Sequence, residues 1–160
     1  MINAPSNPDH LRAKNEVTNM MLQRLAKFGP VYVRLALGAA FLSAVADRFG
    51  FWGKYGAWGN FATFEQYTAQ VNSFMPAFAI PFLSWAATAA ELSLGIGLIL
   101  GVWQRWVALG AAALLFLFGT AMAISFGIKS PLDYSVYSAS AGALLLFLHL
   151  SDRAHSEGKV

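Results

Sequence analysis

A run of uncharged, mostly apolar residues from Ala77 to Val102 carries one ionisable side chain, Glu91, near its middle. About 20 apolar residues in a helix cross the hydrocarbon core of a bilayer. A charge at the centre of such a span costs about 2.5–3.5 kcal/mol on insertion scales. A carboxylate placed there needs a cation on a neighbouring helix, a proton, or a wet cavity in which the acid serves a pathway. Arg34, embedded in the first apolar run, is the expected partner.

Composition points the same way, with 57% hydrophobic and 12% charged residues against about 25% charged in soluble domains. The expected fold is all-α: an integral membrane four-helix bundle with an amphipathic N-terminal helix and a short interfacial helix between spans 1 and 2. The absence of cysteine removes thiol–disulfide relays, thiolate-held iron–sulfur clusters and cysteine-based zinc sites. A formal charge of +3, tied to helix flanks, gives no reason to expect nucleic acid.

Residues 1–27 read as a basic amphipathic segment, with Val17, Met20, Met21, Leu25 and Phe28 toward one side and Arg12, Glu16 and Lys27 elsewhere. Lys14 and Arg24 interrupt that stripe, and a frayed tail obeying charge bias is the alternative reading. No short apolar region with a small-residue cleavage site precedes the first span, which is therefore expected to act as an uncleaved insertion signal. Spans are expected at about 28–48, 77–102, 105–127 and 131–150 within a membrane domain at 28–151, followed by a tail at 152–160. Between the first two, Phe61, Phe64, Tyr67, Val71 and Phe74 recur at helical spacing, with Asn60 as cap and Pro76 as stop. Ahead of them Phe51, Trp52, Tyr55 and Trp58 form an interfacial aromatic belt. Ser130-Pro131-Leu132-Asp133 carries the signals of a helix start for the fourth span. Flanking Lys and Arg residues number seven on the side of the termini and three on the other, which places both termini in the cytoplasm and the protein in a bacterial inner membrane.

Helices in lipid associate through small residues and interhelical hydrogen bonds. Ser84, Thr88, Glu91 and Gly95 share one face of the second span, and Arg34, Gly38, Phe41 and Val45 one face of the first. Tyr134, Ser138, Ala141, Leu145 and His149 are the corresponding expectation for the fourth. Glu91 lies roughly 16 Å from the inner end of its span and Arg34 roughly 9 Å from that of its own, an offset a stretched arginine can cover.

Two groups of residues are candidates for function. Arg34, Glu91, Ser84 and Thr88 form either a buried charge pair that sets helix register or a proton or ligand pathway. Asp47, Arg48, Trp58, Asn60, Lys129, Asp133 and Tyr134 fall near the outer ends of spans and define an outer-face site, although flank charges and caps explain most of them. Catalytic residues are not identifiable and no metal cluster is expected. Haem is not expected either: His10 and His155 lie outside the spans, His149 sits at a helix end, and Met122 reads as packing.

Arg34-Leu-Ala-Leu-Gly38, Ala90-Glu91-Leu-Ser-Leu-Gly95 leading to Leu100-Gly101-Val-Trp-Gln-Arg105, and Gly127-Ile-Lys-Ser-Pro-Leu-Asp-Tyr134 together resemble the DoxX family of small four-span bacterial membrane proteins. The resemblance covers about Val31 to Leu150 and implies an association with membrane oxidoreductase systems. It implies a subunit, with no covalently bound cofactor, that binds a lipophilic redox partner such as quinone or docks a soluble oxidoreductase or other membrane subunit in the bilayer. A small proton-coupled carrier or channel, and a structural or assembly subunit with a buried Arg–Glu pair, are the alternatives.

Overall fold

The computed structural model describes residues 8–157. All regular structure among them is helical: α1 (Pro8–Arg48), α2 (Phe61–Val71), α3 (Ile80–Leu100), α4 (Gln104–Phe126), α5 (Lys129–Asp133) and α6 (Val136–Glu157). Its contacts divide the chain into two units, Met1–Tyr32 and Val33–Val160. In the first, the described side chains from Lys14 to Phe28 are exposed, among them Val17, Met20, Met21, Leu25 and Phe28. The amphipathic segment and first span, expected as two elements, belong to one helix that contains Pro30. A change from polar to apolar side chains at Phe28 alters what the helix can touch, and does not by itself end it.

The second unit is a membrane helical bundle. Among the described residues of the chain, three helical stretches are long and apolar enough to cross a membrane: Lys14–Arg48, which begins in the first unit, Ala77–Leu100 and Gln104–Phe126. The fourth expected span, 131–150, overlaps α6 from Val136 to Leu150, and the polar residues of α6, including Ser138, Ser140, His149 and Asp152, dilute its apolar character. A single turn of 3₁₀ helix at Ala77–Ala79 leads into α3, which has Pro81 in its first turn. Gly101 closes α3 in the left-handed region, at φ 73°, and its N–H donates to the Gly97 carbonyl at 2.9 Å. A glycine is favoured at that position because a side chain clashes there. Only Gly101, Val102 and Trp103 separate α3 from α4.

The expected helix start at Ser130-Pro131 instead begins the short α5, and Ser135 at φ 55° redirects the chain before α6. A non-glycine residue in the left-handed region interrupts helical propagation, so the signals are real but belong to a separate element. α6 then continues beyond Leu150 to Glu157. Its buried face also differs from the expected one: Ser140, Ala143 and Leu146 are buried, whereas Tyr134, Ser138, Ala141 and Leu145 are exposed. Small residues on α4, namely Ala108, Ala111 and Ala112, select the face that fits them. Ser140 Oγ donates to the Ala112 carbonyl at 2.8 Å, an interhelical bond of the kind lipid-embedded bundles use.

On α3 the buried positions are Ile80, Ser84, Thr88, Glu91, Gly95 and Leu98, the stripe that helical spacing predicts. α1 runs antiparallel to it. Gly38 lies against Ile99 and the Gly95 carbonyl, Gly95 against Phe41 and Leu42, and Gly101 beside the Arg34 guanidinium. These three contacts define the axial register on which the site depends.

Candidate functional site

Glu91 is paired with Arg48, and the expected pairing with Arg34 is not formed. The register explains the difference. Arg34 stands level with Gly101, ten residues along α3 from Glu91, an axial offset of about 15 Å. A first span that starts at Phe28, level with the end of the second, implies a smaller offset, but α1 runs on through Phe28 without a break. Arg48, the last residue of α1, lies on the same 4-3-4-3 stripe as Arg34, Gly38, Phe41 and Val45, and folds inward rather than flanking the membrane.

The pair is almost completely covered, with Arg48 2% and Glu91 4% exposed. One guanidinium nitrogen, Nη2, meets Glu91 Oε2, while Nη1 donates to Thr88 Oγ1 at 2.8 Å. The Thr88 hydroxyl in turn donates to the Ser84 carbonyl at 2.8 Å, and Ser84 Oγ to the Ile80 carbonyl at 3.0 Å. Spacing of i, i+4 and i+7 puts Ser84, Thr88 and Glu91 on one strip of α3, so a single arginine can reach two of them. Its flat face is covered by aromatic rings: the Arg48 Cζ is 3.7 Å from the Phe64 ring centroid and 5.6 Å from that of Trp58. A desolvated guanidinium over an aromatic face gains about 2 kcal/mol.

Asp47 positions the loop that supplies Trp58. Its Oδ2 accepts the backbone N–H of Ala57 at 2.8 Å and of Trp58 at 3.2 Å. A Cβ at Gly56 would run into the same carboxylate, so this turn closes only around a glycine. Trp58 then packs edge-on against Phe64, with centroids 5.2 Å apart. Asp47→Ala is expected to destabilise the loop by about 1–3 kcal/mol, since it leaves two N–H groups without their acceptor. Limited proteolysis between Phe49 and Asn60 should speed up; an unchanged digestion pattern would show that the loop holds without Asp47.

The remaining outer-face candidates are placed apart from this cluster. Asn60 caps α2, its Oδ1 accepting Thr63 N–H at 2.9 Å. Lys129 and Asp133 pair with each other on the exposed surface of α5, and Tyr134 is exposed. Burial, with Tyr134 nearby, pushes the Tyr67 phenol on α2 above its ordinary value, so it remains a neutral donor. The structure therefore joins members of both expected groups, Ser84, Thr88 and Glu91 with Asp47, Arg48 and Trp58, and leaves out Arg34, Asn60, Lys129, Asp133 and Tyr134. Phe64 was not among the candidates. Its place on the apolar stripe of α2, one turn after the Asn60 cap, was the available signal.

A second aromatic group lies next to the pair. Phe61 and Trp85 stack with centroids 4.3 Å apart, and Phe49 lies 6.0 Å from Phe61. Phe49 and Trp85 are 48% and 56% exposed. An open groove of about 410 Å³ runs between α2 and the start of α3, lined by residues that include Ala62, Glu65, Gln66, Ala69, Ile80 and Pro81. Glu65 and Pro81 are each one helical turn from Phe61 and Trp85 respectively. Its volume is in the range of small-molecule sites, about 300–1,000 Å³.

A family model described as DoxX matches residues 29–127, a segment that contains Arg34, Asp47, Arg48 and Glu91 and stops short of α5 and α6. No curated protein and no solved structure matches the chain.

Proposed function

The chain belongs to the DoxX family of membrane proteins, and from that starting point we propose that it is a membrane subunit of an oxidoreductase system, binding a lipophilic redox partner such as a quinone. The observation that carries this reading is the groove between α2 and α3 with the stack of half-buried Phe61 on exposed Trp85 beside it. A planar ring prefers an offset or edge-to-face neighbour, and these two side chains offer both from a fixed position. Gln66 and Glu65 supply polar groups at the rim, where a ring carbonyl or hydroxyl needs a partner. The Arg48–Glu91 pair serves the groove indirectly. By joining α1 to α3 and seating Phe64 of α2 on the guanidinium, it keeps the two walls at one spacing.

The chain contains no cysteine, so any thiol chemistry in such a system belongs to a partner protein. Its own residues bind and orient the ring in a water-poor setting. Both termini in the cytoplasm and a bacterial inner-membrane location go with this proposal, on the strength of the charge bias.

Solvent extracts of protein purified in mild detergent should contain quinone, and a short-chain quinone should quench tryptophan fluorescence saturably. Trp85→Ala and Phe61→Ala should each weaken that binding about three- to tenfold, as expected for an aromatic pair worth about 0.5–1.5 kcal/mol. A lipid-only extract together with non-saturable quenching would remove the reading.

A further inference from the structure

The opposite end of the bundle holds a cation that the Arg48 site does not use. Arg34 is half-buried on α1, its Nε is buried without a hydrogen-bond partner, and it makes no ion pair among the described residues. Its guanidinium lies against Gly101, where a Cβ would come within 2.6 Å of Nη1 and within 3.0 Å of the Gln104 side-chain nitrogen. The missing side chain at Gly101 therefore makes room for both donors. The C-terminal carbonyls of α3 favour a cation at that place, but they carry only partial charge. Arg105 follows directly, its guanidinium 5.0 Å from the ring of Trp106. α4 begins at Gln104 with no side-chain cap, so its first N–H groups add to the donors. Among the described acids, Glu91 is taken by Arg48 and Asp133 by Lys129, while Asp47 is bonded to the loop. Asp152 on α6 is exposed and pairs with nothing among the described residues.

The Arg34 guanidinium of α1 and the Gln104 amide meet at Gly101, with Arg105 next in the chain at the start of α4, and two guanidinium groups with a side-chain amide match a phosphodiester. Arginine binds phosphate through a planar fork of charge-assisted bonds. Exposed Trp103 and Trp106 belong to the residue type that anchors at the headgroup level. We propose that Arg34, Gln104 and Arg105 form a binding site for the phosphate of an anionic phospholipid, with the acyl chains along the apolar surface of the bundle. An arginine inside a span then has a charge partner drawn from the membrane itself, where the described residues provide none.

The test is native mass spectrometry of the delipidated full-length protein in detergent, titrated with phosphatidylglycerol, with phosphatidylcholine, or with phosphatidylglycerol plus excess inorganic phosphate. One phosphatidylglycerol per chain should be retained in preference to phosphatidylcholine, whose choline brings a second cation to the site. Arg34→Gln should lower that retention about tenfold or more, the effect of losing a charge-assisted bond. Lys54→Gln, a change at the other end of the bundle, should leave it unaltered. If Arg34→Gln does not fold, Gln104→Leu and Arg105→Gln read the same site, and each should reduce retention. Equal retention in these variants, or no preference between the two lipids, overturns the proposal. Displacement by inorganic phosphate overturns the lipid assignment in favour of a soluble phosphate.

Discussion

Arg48→Met is expected to destabilise the protein in detergent by about 3–5 kcal/mol, the typical result of removing one member of a buried ion pair. The loss has several sources. Glu91 would be left 4% exposed without its cation, Thr88 Oγ1 would lose a donor, and the Phe64 ring would lose the charge it covers. Glu91→Leu alone strands the arginine in the same way. The double variant Arg48→Met/Glu91→Leu should recover most of the loss, because an apolar pair of similar volume needs no desolvation. Thermal unfolding of the four proteins measures the coupling. Arg34→Met serves as the comparison, with an expected effect of no more than about 1 kcal/mol. A larger loss in Arg34→Met than in Arg48→Met would mean that Glu91 has its partner at the wrong end of α1.

Gly38→Val is the second large effect. A Cβ at Gly38 would lie 2.9 Å from two side-chain carbons of Ile99 and 3.1 Å from the Gly95 carbonyl oxygen. Ile99 can turn aside, but the carbonyl is fixed in α3, so α1 and α3 must separate. Overpacking of this sort costs about 1–3 kcal/mol. The displacement also reaches the Arg48 end, where Nη1 and Nη2 must meet Thr88 and Glu91 together. Gly38→Val should thus lower the melting temperature and also reduce the Arg48–Glu91 coupling measured by the double-variant cycle. A lower melting temperature with undiminished coupling would show that the two ends of the α1–α3 contact are independent.

Several features were legible in the chain because they depend on neighbours within one helix. The stripe Ser84, Thr88, Glu91, Gly95 and the stripe Gly38, Phe41, Val45 are both buried as their spacing requires. Asn60 caps α2 as its position before Phe61 implies. The end of α2 was less legible: it stops at Val71 rather than continuing to Pro76, since Asn72 Nδ2 donates to the Thr68 carbonyl at 3.0 Å and Ser125 Oγ, from α4, to the Val71 carbonyl at 2.6 Å. One of those donors lies more than fifty residues away, where no local pattern reveals it. The face of α6 was misplaced for a related reason. Both of its possible stripes contain small and polar residues, and only the alanines of α4 decide between them.

That the charge of Glu91 must be offset was determined by the sequence alone, because a carboxylate in the middle of an apolar run is costly wherever the run is buried. The same holds for a membrane fold built from helices, since lipid offers the backbone no hydrogen bonds. Which arginine answers Glu91 was decided only by tertiary structure. Arg34 and Arg48 lie on one stripe of α1, fourteen residues apart, and helical periodicity treats them alike. Their roles separate when Gly38 and Gly95 let α1 and α3 approach in a single axial register, for a shift along the helix axis changes every contact between two helices while leaving the pattern within each untouched.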